Sequence, residues 1–410
     1  MERDETGSLG SLRELNQGRV VGTLRSLGVA SQAEITRRTG LSRSTVSSIV
    51  ADLRSTGLVV DYDGSWKPER DSGGRPPSLI TLDRSAGAAL GVDFGKRHLS
   101  VAVSDLSHEL LAETTREMPE GYDSDSGMGV ASSLVDAVLD EAGVERAAVL
   151  GVGMGLPGPI HRPTGTVGSS AILPGWVGVR AEVEMSERLA LPVRVENDAN
   201  LGALAELTWG AGRGCANFAY LKLATGIGAG LVVRGRLYEG AGGTAGEIGH
   251  TMIDESGDIC RCGNRGCLET LAGAPAIVGL LSRSLGEELE LEEVIGRAGA
   301  GDLGCRRVLA DAGRHIGVAV AMLCNLVNPE RIVVGGSVGT AGDLVLGPLR
   351  ESVRLRAIQS AAEDVEVVPG ELGERAELLG AVALVLHDAS PEVTGIGRAV
   401  IHTKEGTDAQ

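Results

Sequence analysis

The chain has 410 residues, 42% of them apolar, enough for two or three domains with well-buried cores. Its formal net charge of −17 argues against a body that coats itself with nucleic acid, yet residues 1–85 hold 12 lysines and arginines against 11 carboxylates. The acidic surplus therefore falls on the rest, and the seven arginines between Arg13 and Thr56 face only Glu14, Glu34 and Asp52, a basic head suited to a local DNA contact.

The opening "MERDETGSLG" is charged and lacks an apolar core, so no secretory leader is expected. Val20, Leu24 and Leu27 then give a first helix its apolar stripe. "SQAEITRRTG", Ser31 to Gly40, supplies a serine cap, a short helix and a closing glycine. In "LSRSTVSSIVADLRSTG", Val46, Ile49, Val50 and Leu53 keep the spacing of one buried helical face. The opposite face shows Arg43, Ser44, Thr45, Ser47 and Ser48, short hydrogen-bonding groups with one guanidinium, which suit a major groove. Beyond Gly57, "LVVDY" and "SLITL" predict strands around "GGRPP", a wing that would carry Arg75 into a minor groove. Together these predict a winged helix-turn-helix that binds a double-stranded DNA operator; a helical adaptor with ordinary surface arginines is the alternative.

From Ala88 the pattern becomes strands alternating with helices. "AALGVDFGKRHLSVAVSDL" predicts strand, tight turn and strand, with Asp93 and Gly95 at the turn. Trp176, in "LPGW", fits a core as well as a ligand site. In "VRVENDANLGALAE" a strand ends in Glu196, Asn197 and Asp198, and a helix begins near Ala199. Polar groups at a strand's carboxyl end face the crevice where open α/β sheets bind ligands. There Asn197 and Asp198 could hold vicinal hydroxyls, or Asp198 or Asn200 could simply cap the helix. "FAYLKLATGIGAGLVVRGRL" repeats the hairpin, with Thr225, Gly226 and Gly228 at its turn, which implies a duplicated lobe with a phosphate-facing loop in each half.

"CRCGNRGCLE" packs Cys260, Cys262 and Cys267 into eight positions of a chain with six cysteines. That is no disulfide framework, and a reducing cytoplasm is the expected compartment. "IGVAVAMLCNLV", Ile316 to Val327, is too short to span a bilayer and predicts a buried helix, so no membrane contact is expected. "RIVVGGS" adds a third glycine turn at Gly335 and Gly336. Glycine is 61 of 410 residues, so none of these turns is specific by itself.

The motifs "ENDAN", "TGIGAG", "EIGH" (Glu247 to His250) and "CRCGNRGCLE", in that order over roughly 300 residues, resemble the ROK family of repressors and sugar kinases. The resemblance implies an α/β chain: a winged helix-turn-helix followed by a two-lobed actin-like, ribonuclease-H-like sugar-kinase-type ATPase fold. The expected divisions are a DNA-binding head over 12–84 and a body over 86–390. The body would have lobes at about 86–199 and 200–376, a C-terminal helix returning to the first lobe, and a flexible tail over 391–410. A head joined directly to such a body is similar to the repressor branch. Paired heads, in a homodimer or homotetramer, are then expected on a palindromic operator.

The spacing C-x-C-x₄-C leaves a tetrahedral metal one ligand short. His250 is the nearest histidine on the N-terminal side; His315, on the predicted buried helix, is worse placed. Three thiolates and one imidazole make a closed, structural zinc set. The family has the same set, so the resemblance assigns His250, Cys260, Cys262 and Cys267 to structural Zn²⁺; redox cysteines are the alternative. It also places Glu247, His250 and Glu269 against a sugar or amino sugar, beside Asn197, Asp198 and Gly158 of "GLPGP".

Family kinases use the aspartate matching Asp198 as the base that takes a proton from the attacking sugar hydroxyl. Their first phosphate loop resembles D-x-G-G-T-K, whereas this chain has Asp93-Phe94-Gly95-Lys96-Arg97-His98. A side chain at Lys96 removes the close backbone approach that glycine allows, and Arg97 supplies no hydroxyl. Efficient phosphoryl transfer is therefore not expected, unless Lys96 and Arg97 attract phosphate by charge alone. The leading expectation is a sugar-responsive transcriptional regulator, a repressor of carbohydrate-use genes. An active ATP-dependent sugar kinase with a DNA-binding head would instead consume ATP. A repressor controlled by a protein partner would ignore every free sugar.

Overall fold

The computed structural model describes residues 7–62, 78–83, 86–162, 164–168 and 173–388. The head begins with helix α1 (Gly7–Leu27), strand β1 (Val29–Ser31), α2 (Gln32–Thr39) and α3 (Arg43–Ser55). It ends with β2 (Val59–Asp61) and β3 (Leu79–Leu82), which pair antiparallel in the order β1-β3-β2. The Ser31 hydroxyl accepts the Glu34 amide to start α2, and Gly40, at φ 69°, closes it. Ser42 caps α3 in the same way, on the Thr45 amide. Val46, Ile49, Val50 and Leu53 pack with Val20, Leu24 and Ile35 into one small core. The "GGRPP" segment, with Arg75, lies outside the described residues, as does the segment 389–410.

The first body sheet holds β4 (Ala88–Phe94), β5 (His98–Asp105), β6 (Leu110–Glu117), β7 (Val149–Leu156) and β10 (Val193–Asn197). Helix α4 (Ser124–Ala142) follows β6, a short hairpin of β8 (Ile160–His161) and β9 (Thr166–Val167) follows β7, and α5 (Ala181–Leu189) precedes β10. Helix α6 (Asp198–Thr208) leads to the second sheet, which opens with β11 (Phe218–Leu223), β12 (Ile227–Val233) and β13 (Arg236–Leu237). Helices α7 (Leu268–Ala272), α8 (Ala274–Leu285), α9 (Leu291–Gly299) and α10 (Leu303–Val327) precede β14 (Arg331–Gly335). Then come α11 (Asp343–Arg356), α12 (Gln359–Asp364), β15 (Glu366–Pro369) and α13 (Ala376–Asp388).

The strand orders are β10-β7-β4-β5-β6 and β13-β12-β11-β14-β15. Each sheet thus has an antiparallel three-stranded meander extended by two parallel strands, with the same sequence of neighbours. The duplication inferred from two glycine turns is a duplication of whole sheets.

Every residue of β4 is buried. Leu90, Val92 and Phe94 face α4, through Met128, Ala131 and Val135, while Ala89 faces α13, through Val382 and Val385. Burial on both faces explains why this strand reads as a continuous apolar run. Helix α13 lies so close to the sheet that a Cβ on Gly153 would collide with the Ala381 carbonyl, one reason for the chain's high glycine content. The apolar run in α10 proves to be one-sided: Ile316, Val320 and Cys324 are buried, but Met322 and Leu326 are exposed. Trp176 is core, fully buried between Phe94 and Tyr122. No helix among the described residues is long and apolar enough to cross a membrane.

Candidate ligand cleft and metal cluster

A cleft of ≈ 1180 Å³ opens between the two sheets. The first lobe contributes Asp93 and Gly95 from the β4–β5 turn, Gly158 from the end of β7, and Asn197 and Asp198 from the β10–α6 junction. The second contributes Thr225 and Gly226 from the β11–β12 turn, Gly228 from β12, and Gly335 and Gly336 after β14. Glu247, His250 and Glu269 line the same space. Residues far apart in the chain thus converge on one cleft, as the strand ends of two related sheets require.

The roles inside it are more divided than the motif suggests. Asn197 is the cap of α6: its Oδ1 accepts the Ala199 amide at 2.9 Å, while its Nδ2 donates to the Gly158 carbonyl at 2.9 Å. It therefore fastens the Gly158 turn, with its amide already engaged at both ends. Asp198 keeps a carboxylate in the cleft, and that carboxylate has a partner sequence reading missed. Lys222, on β11, sets its Nζ 2.8 Å from Asp198 Oδ2 and 3.2 Å from Glu377 Oε1, at the start of α13. Burial favours a neutral amine, but Asp198, Glu377 and Asp93 outweigh it and hold Lys222 as an ammonium. Glu377 has its carboxyl pushed up, by burial first and then by Asp93 and Asp198, with Lys222 opposing.

The β4–β5 turn, where the sequence predicts a phosphate-facing loop, is covered by its own chain. His98, the first residue of β5, lays its ring over Gly95 so closely that a Cβ there would collide with it. Its Nε2 lies 3.0 Å from Asp93 Oδ2, and this hydrogen bond raises the imidazole pKa against the effect of burial. Lys96 and Arg97 are paired instead with Glu120, at 2.7 and 2.9 Å. On the second lobe, Glu269 accepts the Ile227 amide at 3.2 Å and pairs with Arg261 at 2.8 Å.

Beside the cleft, His250, Cys260, Cys262 and Cys267 bring one ligand atom each to within 4.8 Å of all the others. Two backbone bridges, Met252 with Cys267 and Ile259 with Arg265, fold the segment into a compact knuckle, with Gly263 and Gly266 at positive φ. Cys260 Sγ lies 3.5 Å from His250 Nδ1, and Cys262 Sγ 3.7 Å from Cys267 Sγ. A tetrahedral zinc with usual bond lengths would set such pairs about 3.5 and about 3.8 Å apart. All the cysteines are free thiols, and burial followed by hydrogen bonds donated to Cys262 and Cys260 pushes the Cys267 thiol up to about 12. Three sulfurs this close ionise together only with a cation between them. His250 Nε2 faces away from the sulfurs, 3.9 Å from Glu247. His315 lies on α10, outside this cluster.

In the head, Arg43, Ser44, Ser47 and Ser48 are exposed on α3 and Thr45 is half-buried, opposite the face that packs.

The model of the ROK family matches residues 89–388 of this chain. The chain belongs to the ROK family. A MarR family model matches residues 14–63, the segment that holds α2 and α3. A xylose repressor of Caldicellulosiruptor bescii is 29% identical over 390 residues, covering 92% of this chain and 96% of that protein. A glucokinase of Halalkalibacterium halodurans is 33% identical over 314 residues but covers only 72% of this chain, with 94% of its own length. Among solved structures, a ROK family transcriptional regulator homologous to the E. coli MLC protein matches with a TM-score of 0.78 at 26% identity, over 93% of this chain and 98% of that one. ROK relatives named as regulators thus align along nearly the whole chain. The kinase leaves a part about the size of the head unmatched.

Proposed function

We propose that this ROK protein is a sugar-responsive DNA-binding repressor: α3 reads an operator, and the cleft binds a sugar or amino sugar that releases it. One observation carries the reading: a helix that exposes Arg43, Ser44, Ser47 and Ser48 shares a chain with a cleft between two related sheets, and His98 covers the cleft's β4–β5 turn. The similarity to repressors along more than nine-tenths of the chain supports it. Sugar hydroxyls would meet Asp198, Glu247 and His250, with Asn197 holding the Gly158 turn and Glu269 the Ile227 amide. No step of this function needs ATP.

Zinc is the metal assigned to His250, Cys260, Cys262 and Cys267, with a structural task. Bound there, it would clamp the knuckle that follows Glu247 and leave His250 Nε2 free to donate toward a ligand.

Helix α13 offers a path from cleft to head. Its first turn carries Glu377, paired with Lys222. Its apolar cluster with β4 and β5 packs against Leu58, which also packs against the core of the head. Closure of the lobes on a sugar would shift α13 and with it the spacing of paired heads, in a homodimer or homotetramer.

The reading face has a direct test. With an operator selected from random duplexes, Arg43→Ala is expected to weaken binding by ~10-fold or more and to lower the salt slope by about one. Fluorescence anisotropy across a potassium chloride series measures both. Unchanged affinity and slope would remove α3 from the interface. The ligand is sought by thermal shift against a sugar panel, since a molecule that binds only the folded state must raise its melting point.

A further inference from the structure

We infer that the cleft accepts only sugars that carry no negative charge, and that it rejects phosphorylated sugars as well as nucleotides. The inference rests on the reading of the cleft as a sugar site and adds which chemical form it takes.

The first observation is the state of the cations. Among the described residues lining the cleft there are five lysines and arginines, and each is already paired with a carboxylate. Lys96 and Arg97 share Glu120, Lys222 lies between Asp198 and Glu377, Arg261 holds Glu269, and Arg375 lies 2.8 Å from Glu113. A phosphate entering here would have to compete with a carboxylate for any of these cations, most steeply for the largely buried Lys222, which already has two.

The second observation is the balance. Ten carboxylates line the same cleft, twice the number of lysines and arginines. A sugar hydroxyl directed at Asp198 sits where a phosphate on that hydroxyl would face Asp198, Glu377 and Asp93 against the single ammonium of Lys222. At the Gly95 turn, where backbone amides could otherwise offset such charge, the Gly95 amide already donates to the His98 carbonyl at 2.9 Å and the His98 ring packs over Gly95. Neutral hydroxyls meet the opposite situation, since carboxylates are strong acceptors for them. Rejection by unmatched charge is a general route to specificity.

The test uses the full-length, metal-replete protein and isothermal titration with matched pairs: glucose and glucose 6-phosphate, N-acetylglucosamine and its 6-phosphate, xylose and xylose 5-phosphate, with ATP alone. For whichever parent sugar binds, its phosphate is expected to bind at least 100-fold more weakly, and ATP not at all. Glu377→Gln, an isosteric loss of one charge, and a rise from 0.05 to 0.5 M potassium chloride are each expected to narrow that ratio. The salt series needs no variant, so the charge argument stands even where Glu377→Gln fails to fold. A phosphorylated member binding as tightly as its parent, or a ratio that neither salt nor the variant changes, overturns the inference while leaving the sugar site in place. Silence from both forms of every pair overturns the sugar site itself, and the inference with it.

Discussion

Serine in place of Cys267 is expected to strip the protein of its metal and to lower its unfolding midpoint by ~10 °C or more. Cys267 is fully buried, its sulfur lies 3.7 Å from that of Cys262, close to the spacing a tetrahedral zinc sets, and all four ligand atoms fall within 4.8 Å of one another. Without the ion its sulfur must carry a proton among two other thiols, and the knuckle loses the bond that closes it. The same change should weaken sugar binding, because Glu247 and His250 stand at one end of the knuckle and Glu269 follows its last cysteine. Calorimetry with elemental analysis on one sample measures the loss. Protein purified without chelators that contains no zinc would remove the assignment. So would a Cys267→Ser protein that melts with the parent.

Lys222→Met is expected to destabilise the chain by about 3 kcal/mol at neutral pH, since removing one partner from a largely buried ion pair leaves the other charges unmatched. Lys222 is the only lysine or arginine ion-paired with Asp198 or Glu377 among the described residues. The deficit should depend on pH with a definite sign. Glu377 already has a raised carboxyl, and losing the ammonium, which opposes that rise, pushes it up further. A carboxyl whose folded pKa lies above its unfolded one binds more protons when folded, so stability falls as pH rises through that interval. The variant should therefore approach the parent near pH 5 and fall away toward pH 8. Urea melts at the two pH values decide it. A deficit that grows toward acid pH would mean that Lys222 does not neutralise these carboxylates.

The contrast between these residues shows what the sequence made legible. The head could be read almost helix by helix, because the cap at Ser31, the closing Gly40 and the spacing of Val46, Ile49, Val50 and Leu53 are local signals. The metal cluster was legible for the same reason: three of its ligands fall within eight positions, and the fourth is ten residues upstream. Lys222 and Glu377 were not legible. One sits in a strand that reads as ordinary "YLKL" and the other opens a helix far along the chain. They meet because α13 crosses back between the sheets, which no local pattern encodes. His98 follows the "GKR" that drew attention as a phosphate-attracting pair, but its own ring covers Gly95, while Lys96 and Arg97 turn to Glu120. Asn197 was read as a hydroxyl holder, with Asp198 or Asn200 as the possible cap. The cap is Asn197, decided by a backbone geometry that becomes visible only once β10 and α6 are in place.

The central claim is that a sugar releases this protein from DNA without phosphoryl transfer. It is tested most directly by following operator occupancy and ADP formation in one cuvette across a sugar series, with and without ATP. The account predicts that at least one uncharged sugar lowers occupancy, to the same extent with or without ATP, and that no ADP accumulates. Sugar-dependent ADP production at ordinary kinase rates, of order 1–100 per second, release that requires ATP, or occupancy that ignores every sugar offered would contradict it.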